Sequence, residues 1–461
     1  MSVKSILPNL GFILQISGLF IILPVILALY YNETQSAISL LITTTAFFGL
    51  GFILNVFSQR VSLDLNSSAI LLSVVFFLVS LIGCIPYIYN NIFQNDSIWI
   101  EFSNSYFESV SGFTTTGFSL ITDIDSLPES LVFYRSITEW IGGISIVFIL
   151  LSFFYPTGSV SQLLRLIGIN GIADKMKKML ANIVLVYLIY GIILSVLLYL
   201  LVSKNLFNVV SLIFTTISTG GFSPITNLFS FLSHWGVWIV GAAMILGATN
   251  FLIHQKIIDR KFKSIFVAEF IVFLSIILIF TCVFHFVWKF DIPTSFFHVA
   301  SAASTTGHSY IDISSLADNA KLILIILMFI GGMTVSTAGG IKVWRALFIL
   351  KCIPWVIRQF ETNKEEPVYL EGKQLEVGDV LINLFIPILF GILIFISLFF
   401  FTLRGFPLID SLFEVTSAIA TTGLSTGIVN VSLFLELKWL LIFLMVFGRI
   451  EIIPLLVAIN K

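Results

Sequence analysis

Four short segments of small and hydroxyl-bearing residues, each ending in glycine, recur along the chain. They are Thr114-Thr115-Thr116-Gly117, Ser218-Thr219-Gly220-Gly221, Ser304-Thr305-Thr306-Gly307 and Ala420-Thr421-Thr422-Gly423. Backbone carbonyls in such a segment can replace the hydration shell of a cation, and glycine adopts the backbone angles that aim them into a pore. One copy alone is equally consistent with a turn in a membrane helix. Four copies in matched places predict an ion selectivity filter around one axis.

The carbonyls at the second and third positions of each segment are the best candidates to bind the cation. They belong to Thr115, Thr116, Thr219, Gly220, Thr305, Thr306, Thr421 and Thr422. Threonine hydroxyls are further candidates at the inner end. Each segment follows a stretch that is too short and polar to cross a bilayer, such as 107–113, and we predict a pore helix there. The negative C-terminal ends of four pore helices would favour a cation.

A glycine-rich stretch interrupts another apolar run between residues 331 and 340. Its small residues include Gly331, Gly332, Ser336, Thr337, Gly339 and Gly340. Irregular backbone at membrane depth is tolerated where it is buried in protein or lines water. The stretch is therefore either an intramembrane gate or a site of close helix packing. Because glycine-rich backbone carries few side chains to hold it, we expect this stretch to resist movement least.

Two of the charged residues in predicted membrane helices are candidates for a role in conduction. Arg449 is deep in the last apolar run, where a charge costs on the order of 3 kcal/mol on insertion scales. It is either a barrier that repels cations below the filter or the partner of a carboxylate such as Glu451. Glu139, near the outer end of its helix, either attracts cations or is an interfacial carboxylate with a local partner.

The composition sets the class of the protein. The 461 residues are 58% hydrophobic and 11% charged, whereas soluble domains carry about 25% charged residues. The chain is therefore an integral membrane protein. A net charge of -1 gives no sign of nucleic-acid binding. No nucleophile elbow, paired carboxylates or metal motif is present, so we predict no enzyme activity and no cofactor bound by this chain.

Ten apolar runs are long enough to span a bilayer. They lie at about 10–31, 37–57, 69–89, 131–154, 183–202, 235–253, 266–287, 322–345, 380–403 and 437–459. The predicted fold is an all-α membrane protein with four pseudo-fourfold helix–pore-loop–helix repeats, preceded by two extra transmembrane helices. The predicted boundaries are 1–65 for the two helices and 66–160, 161–262, 263–372 and 373–461 for the repeats, with the gate loop in the third.

The distribution of basic residues predicts the orientation. Seventeen lysines and arginines fall on one side and six, including Arg135, on the other, which with Arg449 make up the total of 24. The positive-inside rule then places both termini in the cytoplasm and makes all four filter loops enter from outside.

Three motifs carry a resemblance to a known family. They are FESVSGFTTTGF at Phe107 to Phe118, GGMTVSTAGGIK at Gly331 to Lys342, and FGRIEI at Phe447 to Ile452. With them the chain resembles the Trk/Ktr/HKT superfamily of potassium transporters, and its two extra helices are similar to the TrkH branch. His308 departs from the family pattern, in which an aromatic residue usually follows the third filter glycine.

The resemblance implies a function and partners. It implies potassium uptake across the cytoplasmic (inner) membrane, with K⁺ as the transported ion and residues 331–340 as a gate loop. It also implies a homodimer and a cytosolic nucleotide-binding regulator of the TrkA kind. Two alternatives stay open: a Na⁺- or H⁺-coupled KtrB-like symporter, and a broken-helix secondary transporter of an organic solute. Four repeats of the same orientation, each with a re-entrant loop, favour an ion filter over a secondary transporter of an organic solute.

Overall fold

The computed structural model describes residues 3–56, 65–95, 97–153, 176–203, 205–261, 267–362, 369–370, 373–374 and 377–450. Two N-terminal helices, α1 (Val3–Tyr30) and α2 (Thr34–Val56), form a hairpin that packs on the first repeat through α1. Gly11 of α1 and Gly51 of α2 allow the two backbones to approach closely, since a Cβ on Gly51 would lie 2.7 Å from the Gly11 carbonyl oxygen. The side chains of Gln15 and Asn55 are hydrogen-bonded beside them at 3.0 Å.

Each of the four repeats contributes a first helix, a pore helix and a second helix. Repeat 1 contains α3 (Leu65–Gly83), α4 (Ile85–Tyr89), the pore helix α5 (Ile98–Phe113) and α6 (Glu129–Phe153). Repeat 2 contains α7 (Met176–Leu201), the pore helix α8 (Leu206–Ile217), the short α9 (Leu228–Phe231), α10 (His234–Ala248) and α11 (Phe251–Ile258).

Repeat 3 contains α12 (Ala268–Trp288), the pore helix α13 (Ile292–Ala303), α14 (Asp318–Ile330) and α15 (Val343–Thr362). Repeat 4 contains α16 (Val377–Leu403), the pore helix α17 (Leu408–Ile419) and α18 (Leu435–Arg449). A short antiparallel ladder, β1 (Tyr369–Leu370) with β2 (Lys373–Gln374), lies between α15 and α16. Apart from this ladder the described chain is helical, which confirms the predicted all-α class.

The packing of the pore helices closes the four repeats into a ring. Each pore helix packs between the two helices of its own repeat and also against the second helix of the preceding repeat. The pairs across repeats are α8 with α6, α13 with α10, α17 with α14 and α5 with α18. The last pair joins repeat 4 to repeat 1, so the arrangement is pseudo-fourfold.

Two of the ten predicted spans are broken: the interruption of 322–345 at the glycine-rich stretch was predicted, whereas the break in 235–253 corrects the sequence-based prediction. The axis turns by 103° between α10 and α11, where Asn250 begins the new helix by accepting the Leu252 N–H on its side chain at 2.9 Å. α14 ends at Ile330 because Gly331, with a φ of 72°, leaves the helical conformation. The predicted span 437–459 extends past the described residues, and its described part ends at Arg449.

Six of the described helices are long and apolar enough to cross a membrane, or seven if the bent α10–α11 pair is taken as one span. The six lie at Ile6–Tyr30, Thr34–Val56, Ile70–Tyr89, Val184–Leu201, Ala268–Trp288 and Asn383–Leu403. They comprise the N-terminal hairpin and the first helix of every repeat. The chain is thus a multi-pass membrane protein.

The glycine contact in the hairpin generates a stability prediction. Replacing Gly51 with valine inserts a side chain against the Gly11 backbone, so we expect overpacking to lower the free energy of unfolding by about 1–3 kcal/mol. Gly49 is the matched control on the same helix, because nothing lies within 4 Å of the place its Cβ would take. Thermal denaturation of both purified variants in detergent measures the difference. Equal midpoints would contradict the proposed contact.

Candidate functional site

All four pore helices end in the same turn, and this turn begins the filter. The second filter residue has a positive φ in each case: 53° at Thr115, Thr219 and Thr305, and 48° at Thr421. In repeat 1 the N–H groups of Thr115 and Thr116 donate to the carbonyls of Gly112 and Ser111, each at 2.9 Å. This is the pattern of a helix C-terminus that normally places glycine in the left-handed position. A β-branched residue there is strained, by about 1–3 kcal/mol.

The glycines at the fourth filter position bring the loops together. Gly117, Gly221, Gly307 and Gly423 have φ between 83° and 90°. A Cβ on Gly117 would overlap the carbonyl oxygen of Gly220. In the same way Gly221 lies against the carbonyl of Thr306, Gly307 against that of Thr422, and Gly423 against that of Thr116. The sixteen predicted filter residues therefore form one closed ring in the order of the repeats.

Glycines on the second helices support the inner start of the filter. Gly142 of α6 packs against the carbonyl of Phe113, Gly247 of α10 against that of Ile217, and Gly448 of α18 against that of Ile419, each without room for a side chain. Each of these carbonyls belongs to the last residue of a pore helix. The shared glycine on three second helices is a signal that the sequence contained and that our sequence analysis missed.

Three pore helices carry a buried hydrogen-bond acceptor that fixes the chain beyond the filter. Glu108 accepts the N–H of Leu120 at 2.9 Å and Glu414 that of Thr426 at 2.8 Å. His298 accepts the N–H of Tyr310 on Nε2 at 3.1 Å, while its Nδ1 bonds the Thr294 carbonyl. Each of the three N–H donors lies three positions after its filter glycine.

In the second repeat no backbone N–H needs an acceptor at the corresponding position. Leu212 stands where the other pore helices have Glu or His, and Pro224 stands where the others have an N–H donor. Proline has no backbone N–H, so no acceptor is required. The paired change was visible in the sequence, because Glu108, His298 and Glu414 share one offset before their filters and Pro224 stands at the matching offset after the second.

Arg135, counted in the sequence analysis only as an outer charge, joins the first two filter loops. It is 1% exposed and pairs at 3.0 Å with Glu108, which is fully buried. It donates to the Ser119 hydroxyl at 3.0 Å and to the Ser223 carbonyl at 3.3 Å, and its guanidinium lies 4.1 Å from the centre of the Phe222 ring. A buried charge is tolerated when it is paired and hydrogen-bonded, as here.

Two further titratable side chains lie in the filter wall. Glu139 is fully buried and accepts the N–H of Phe222, so the interpretation of an interfacial carboxylate is wrong. His308 bonds the Thr216 hydroxyl through Nε2 at 2.9 Å, and its carbonyl accepts from the Ser301 hydroxyl at 2.7 Å. His308 therefore joins the third filter loop to the second pore helix, a role that its position after Gly307 did not reveal.

The predicted gate residues form a buried loop directly against the filter. Thr337 donates its hydroxyl to the Gly247 carbonyl at 3.0 Å, and the Gly339 N–H donates to the Thr305 hydroxyl at 2.6 Å. The α-carbon of Gly339 lies against the carbonyl of Ala420. The hydroxyl of Ser336 bonds the Met333 carbonyl at 2.6 Å. Three of the filter repeats therefore contact this loop.

Further contacts hold both ends of the loop. Gly331 and Gly340 have φ of 72° and 73° and pack against each other, and Gly332 packs against Ala248 of α10. Glu269 of α12 accepts the N–H of Thr334 at 2.7 Å and its hydroxyl at 2.9 Å. The Lys342 ammonium donates to a carbonyl of the loop itself. The expectation that few contacts hold this stretch is therefore wrong.

Arg449 binds the gate loop. Its Nη1 donates to the carbonyl of Thr337 at 2.6 Å and its Nη2 donates to the carbonyl of Gly142 at 2.7 Å. One guanidinium thereby joins α18, the loop and α6. Glu451, the partner considered in the sequence analysis, lies outside the described residues.

The acceptors behind the filter generate a second prediction. Replacing Glu414 with leucine would leave the Thr426 N–H and the Ser425 and Thr426 hydroxyls without their acceptor, at a cost of about 1–3 kcal/mol for each unsatisfied buried group. We expect a clear fall in the thermal midpoint, and a smaller one for Glu414→Gln, whose amide oxygen still accepts. Glu436→Leu, at a half-exposed surface ion pair, is the control. Equal midpoints for the Glu414→Leu and Glu436→Leu variants would refute the role.

Comparisons with known proteins show the family of the chain. The family model of the TrkH cation transport proteins matches residues 54–288 and 290–461. An uncharacterised cation transporter of Methanocaldococcus jannaschii is 30% identical, with 99% of this chain and 95% of the relative covered. The Trk system potassium uptake protein TrkG of Escherichia coli is 25% identical over 98% of this chain and 96% of its own.

The fold agrees as well. The crystal structure of the potassium transporter TrkH from Vibrio parahaemolyticus superposes with a TM-score of 0.86, at 22% identity over 100% of this chain and 99% of that one. The matched family model spans most of the chain, including all four filter loops and the gate loop. The chain belongs to the TrkH family of cation transport proteins.

Proposed function

We propose that the protein takes up potassium across the cytoplasmic membrane through the filter ring. The observation that carries the proposal is the closed ring itself, in which every filter glycine lies against a carbonyl of the adjacent loop. Rings of backbone carbonyls are the means by which channels replace the hydration shell of a monovalent cation. The Trk system relatives, named as potassium uptake proteins, favour K⁺ as the ion.

An organic solute is a weaker candidate. The loops approach so closely that no Cβ fits at any of the four filter glycines, and a solute larger than an ion would have to separate them. Whether transport is a gated flow or is coupled to Na⁺ or H⁺, as in a KtrB-like symporter, is decided by flux with and without gradients of those ions.

The gate in this proposal is the loop 331–340 together with Arg449. The loop packs against the inner start of the filter, and Arg449 holds it through the Thr337 carbonyl. The basic helix α15 follows the loop directly, so a cytosolic nucleotide-binding regulator of the TrkA kind bound there would act on it. A homodimer with both termini in the cytoplasm completes the proposal, in keeping with the excess of basic residues on that side.

The filter is tested by replacing its glycines. Gly117→Ser and Gly307→Ser each place a side chain against a neighbouring carbonyl, so we expect K⁺ preference over Na⁺ to fall at least tenfold, a change of about 1.4 kcal/mol in relative barrier. The measurement is K⁺ and Na⁺ flux into proteoliposomes.

Gly405→Ser is the matched control for these two variants. Gly405 has a similar φ, 83°, but nothing lies within 4 Å of the place its Cβ would take. It therefore shares the backbone strain of a filter glycine and lacks the close approach. Unchanged selectivity in both filter variants, or an equal loss in the control, would refute the assignment of these loops.

Arg449 is tested by removing its charge and hydrogen bonds. Arg449→Ala frees the Thr337 carbonyl and removes a positive charge that repels cations, so we expect higher K⁺ flux per folded protein. Arg449→Lys keeps the charge but loses the planar guanidinium that donates to two carbonyls. Its K⁺ flux should lie between that of Arg449→Ala and that of the unmodified protein. Arg404→Ala, at a half-exposed ion pair, controls for loss of a charge. Flux in Arg449→Ala at or below the level of the unmodified protein, from protein of normal stability, would exclude the gate role.

A further inference from the structure

The second filter loop differs from the other three at its third position. Thr116, Thr306 and Thr422 occupy that position in repeats 1, 3 and 4, whereas repeat 2 has Gly220. The backbone does not require a glycine there, because Gly220 is absent from the residues with positive φ, while the following Gly221 has a φ of 90°. Glycine is therefore required at this position because a side chain would not fit there.

Glu139 occupies that space. A Cβ on Gly220 would overlap the carboxyl carbon and one carboxylate oxygen of Glu139, and would lie 2.8 Å from the Glu139 Cβ. Glu139 belongs to α6 of repeat 1 and is 0% exposed. Its carboxyl group therefore stands where the side chain of a third filter residue would begin.

The hydroxyl contacts within the filter loops also differ between the repeats, and repeat 4 has Ala420, without a hydroxyl, at its first position. In repeats 1 and 3 the third hydroxyl bonds the first hydroxyl of its own loop, Thr116 with Thr114 at 2.8 Å and Thr306 with Ser304 at 2.7 Å. In repeat 2 the hydroxyl of Ser218 bonds carbonyls of the pore helix instead. The filter loop of repeat 2 thus lacks the internal hydroxyl pair.

Glu139 holds this loop through the backbone. Its two oxygens accept the N–H of Phe222 at 3.0 and 3.2 Å. In a trans peptide the N–H and C=O point in opposite directions, and the described chain has no cis peptide bond. Because the Phe222 N–H points to Glu139 behind the loop, the carbonyl of Gly221 in the same peptide points away from Glu139.

We propose that Glu139 is a specificity-determining positioning residue of the filter. It supplies from repeat 1 the side chain that the third position of repeat 2 lacks, and by binding the Phe222 N–H it fixes the orientation of the Gly221–Phe222 peptide in the filter wall. The proposal rests on the proposed function, since it assigns a role within the potassium filter. It also makes the second filter loop depend on α6, the helix that Arg449 holds at Gly142.

The test is a double-mutant cycle on Glu139 and Gly220, read as the ratio of K⁺ to Na⁺ flux in proteoliposomes. Glu139→Ala should lower the ratio about tenfold, the change expected for one buried hydrogen bond. Glu139→Gln keeps the volume and one acceptor and should stay within about twofold of the unmodified protein, on the same principle. Gly220→Thr alone should lose selectivity, because its side chain overlaps the carboxylate.

The decisive variant combines Glu139→Ala with Gly220→Thr, which gives repeat 2 the threonine of the other repeats. We expect it to be more selective than Gly220→Thr alone, because the carboxyl group that overlaps the new side chain is gone, although the close approach of the two Cβ atoms at 2.8 Å remains. Glu101→Ala is the control, since Glu101 is a buried carboxylate of the same repeat that accepts two backbone N–H groups at the opposite end of α5 from the filter. Its flux ratio should not change.

Three results would overturn the proposal: an unchanged ratio in Glu139→Ala, a loss in Glu139→Gln as large as in Glu139→Ala, or no recovery in the double variant. Thermal unfolding of the same variants gives a second readout that needs no transport. Gly220→Thr should lower the midpoint and the added Glu139→Ala should restore part of it, and additive losses would overturn the placement of Glu139. An unmodified protein that carries no K⁺ would refute the proposed function instead, with the unfolding cycle still deciding the role of Glu139.

Discussion

The structure depends on the close approach of each filter loop to the glycine of its neighbour. Gly117, Gly221, Gly307 and Gly423 each lie against a carbonyl oxygen that leaves no room for a side chain. These four contacts close the ring. They also require a left-handed threonine two residues earlier in each loop. The surrounding helices must therefore hold a strained backbone in place, because strain of this kind persists only where the fold over-determines it.

Buried polar groups provide that support, and the four repeats use different chemistry for one geometric task. Repeat 1 uses Glu108 with Arg135, repeat 3 uses the neutral ring of His298, and repeat 4 uses Glu414. Repeat 2 removes the need with Pro224. In a medium where water is excluded, an unsatisfied N–H costs more than it does at a surface. Each repeat therefore had to pair the donor or delete it, and both solutions occur in one ring.

The gate loop and the filter form one packed unit. The loop donates to the hydroxyl of Thr305 and the carbonyl of Gly247, and it accepts from Arg449. Displacing it must break these hydrogen bonds together. Packed cores change between discrete arrangements and do not deform continuously. The hydrogen bonds thus hold this loop more firmly than its glycine content suggested.

The sequence by itself determined the membrane class, the four filter segments, the helix break at Gly331 and the resemblance to the family, because each of these is written in local composition or in a short motif. It left undecided which loop contacts which, the break between α10 and α11, the burial of Arg135 and Glu139, and the partners of Arg449. Only the tertiary structure decided these, since each is a contact between residues far apart in the chain, such as Arg449 with Gly142. A glycine in a motif indicates a special backbone angle. That Gly220 is small to admit a carboxylate from another repeat follows only from the packed ring.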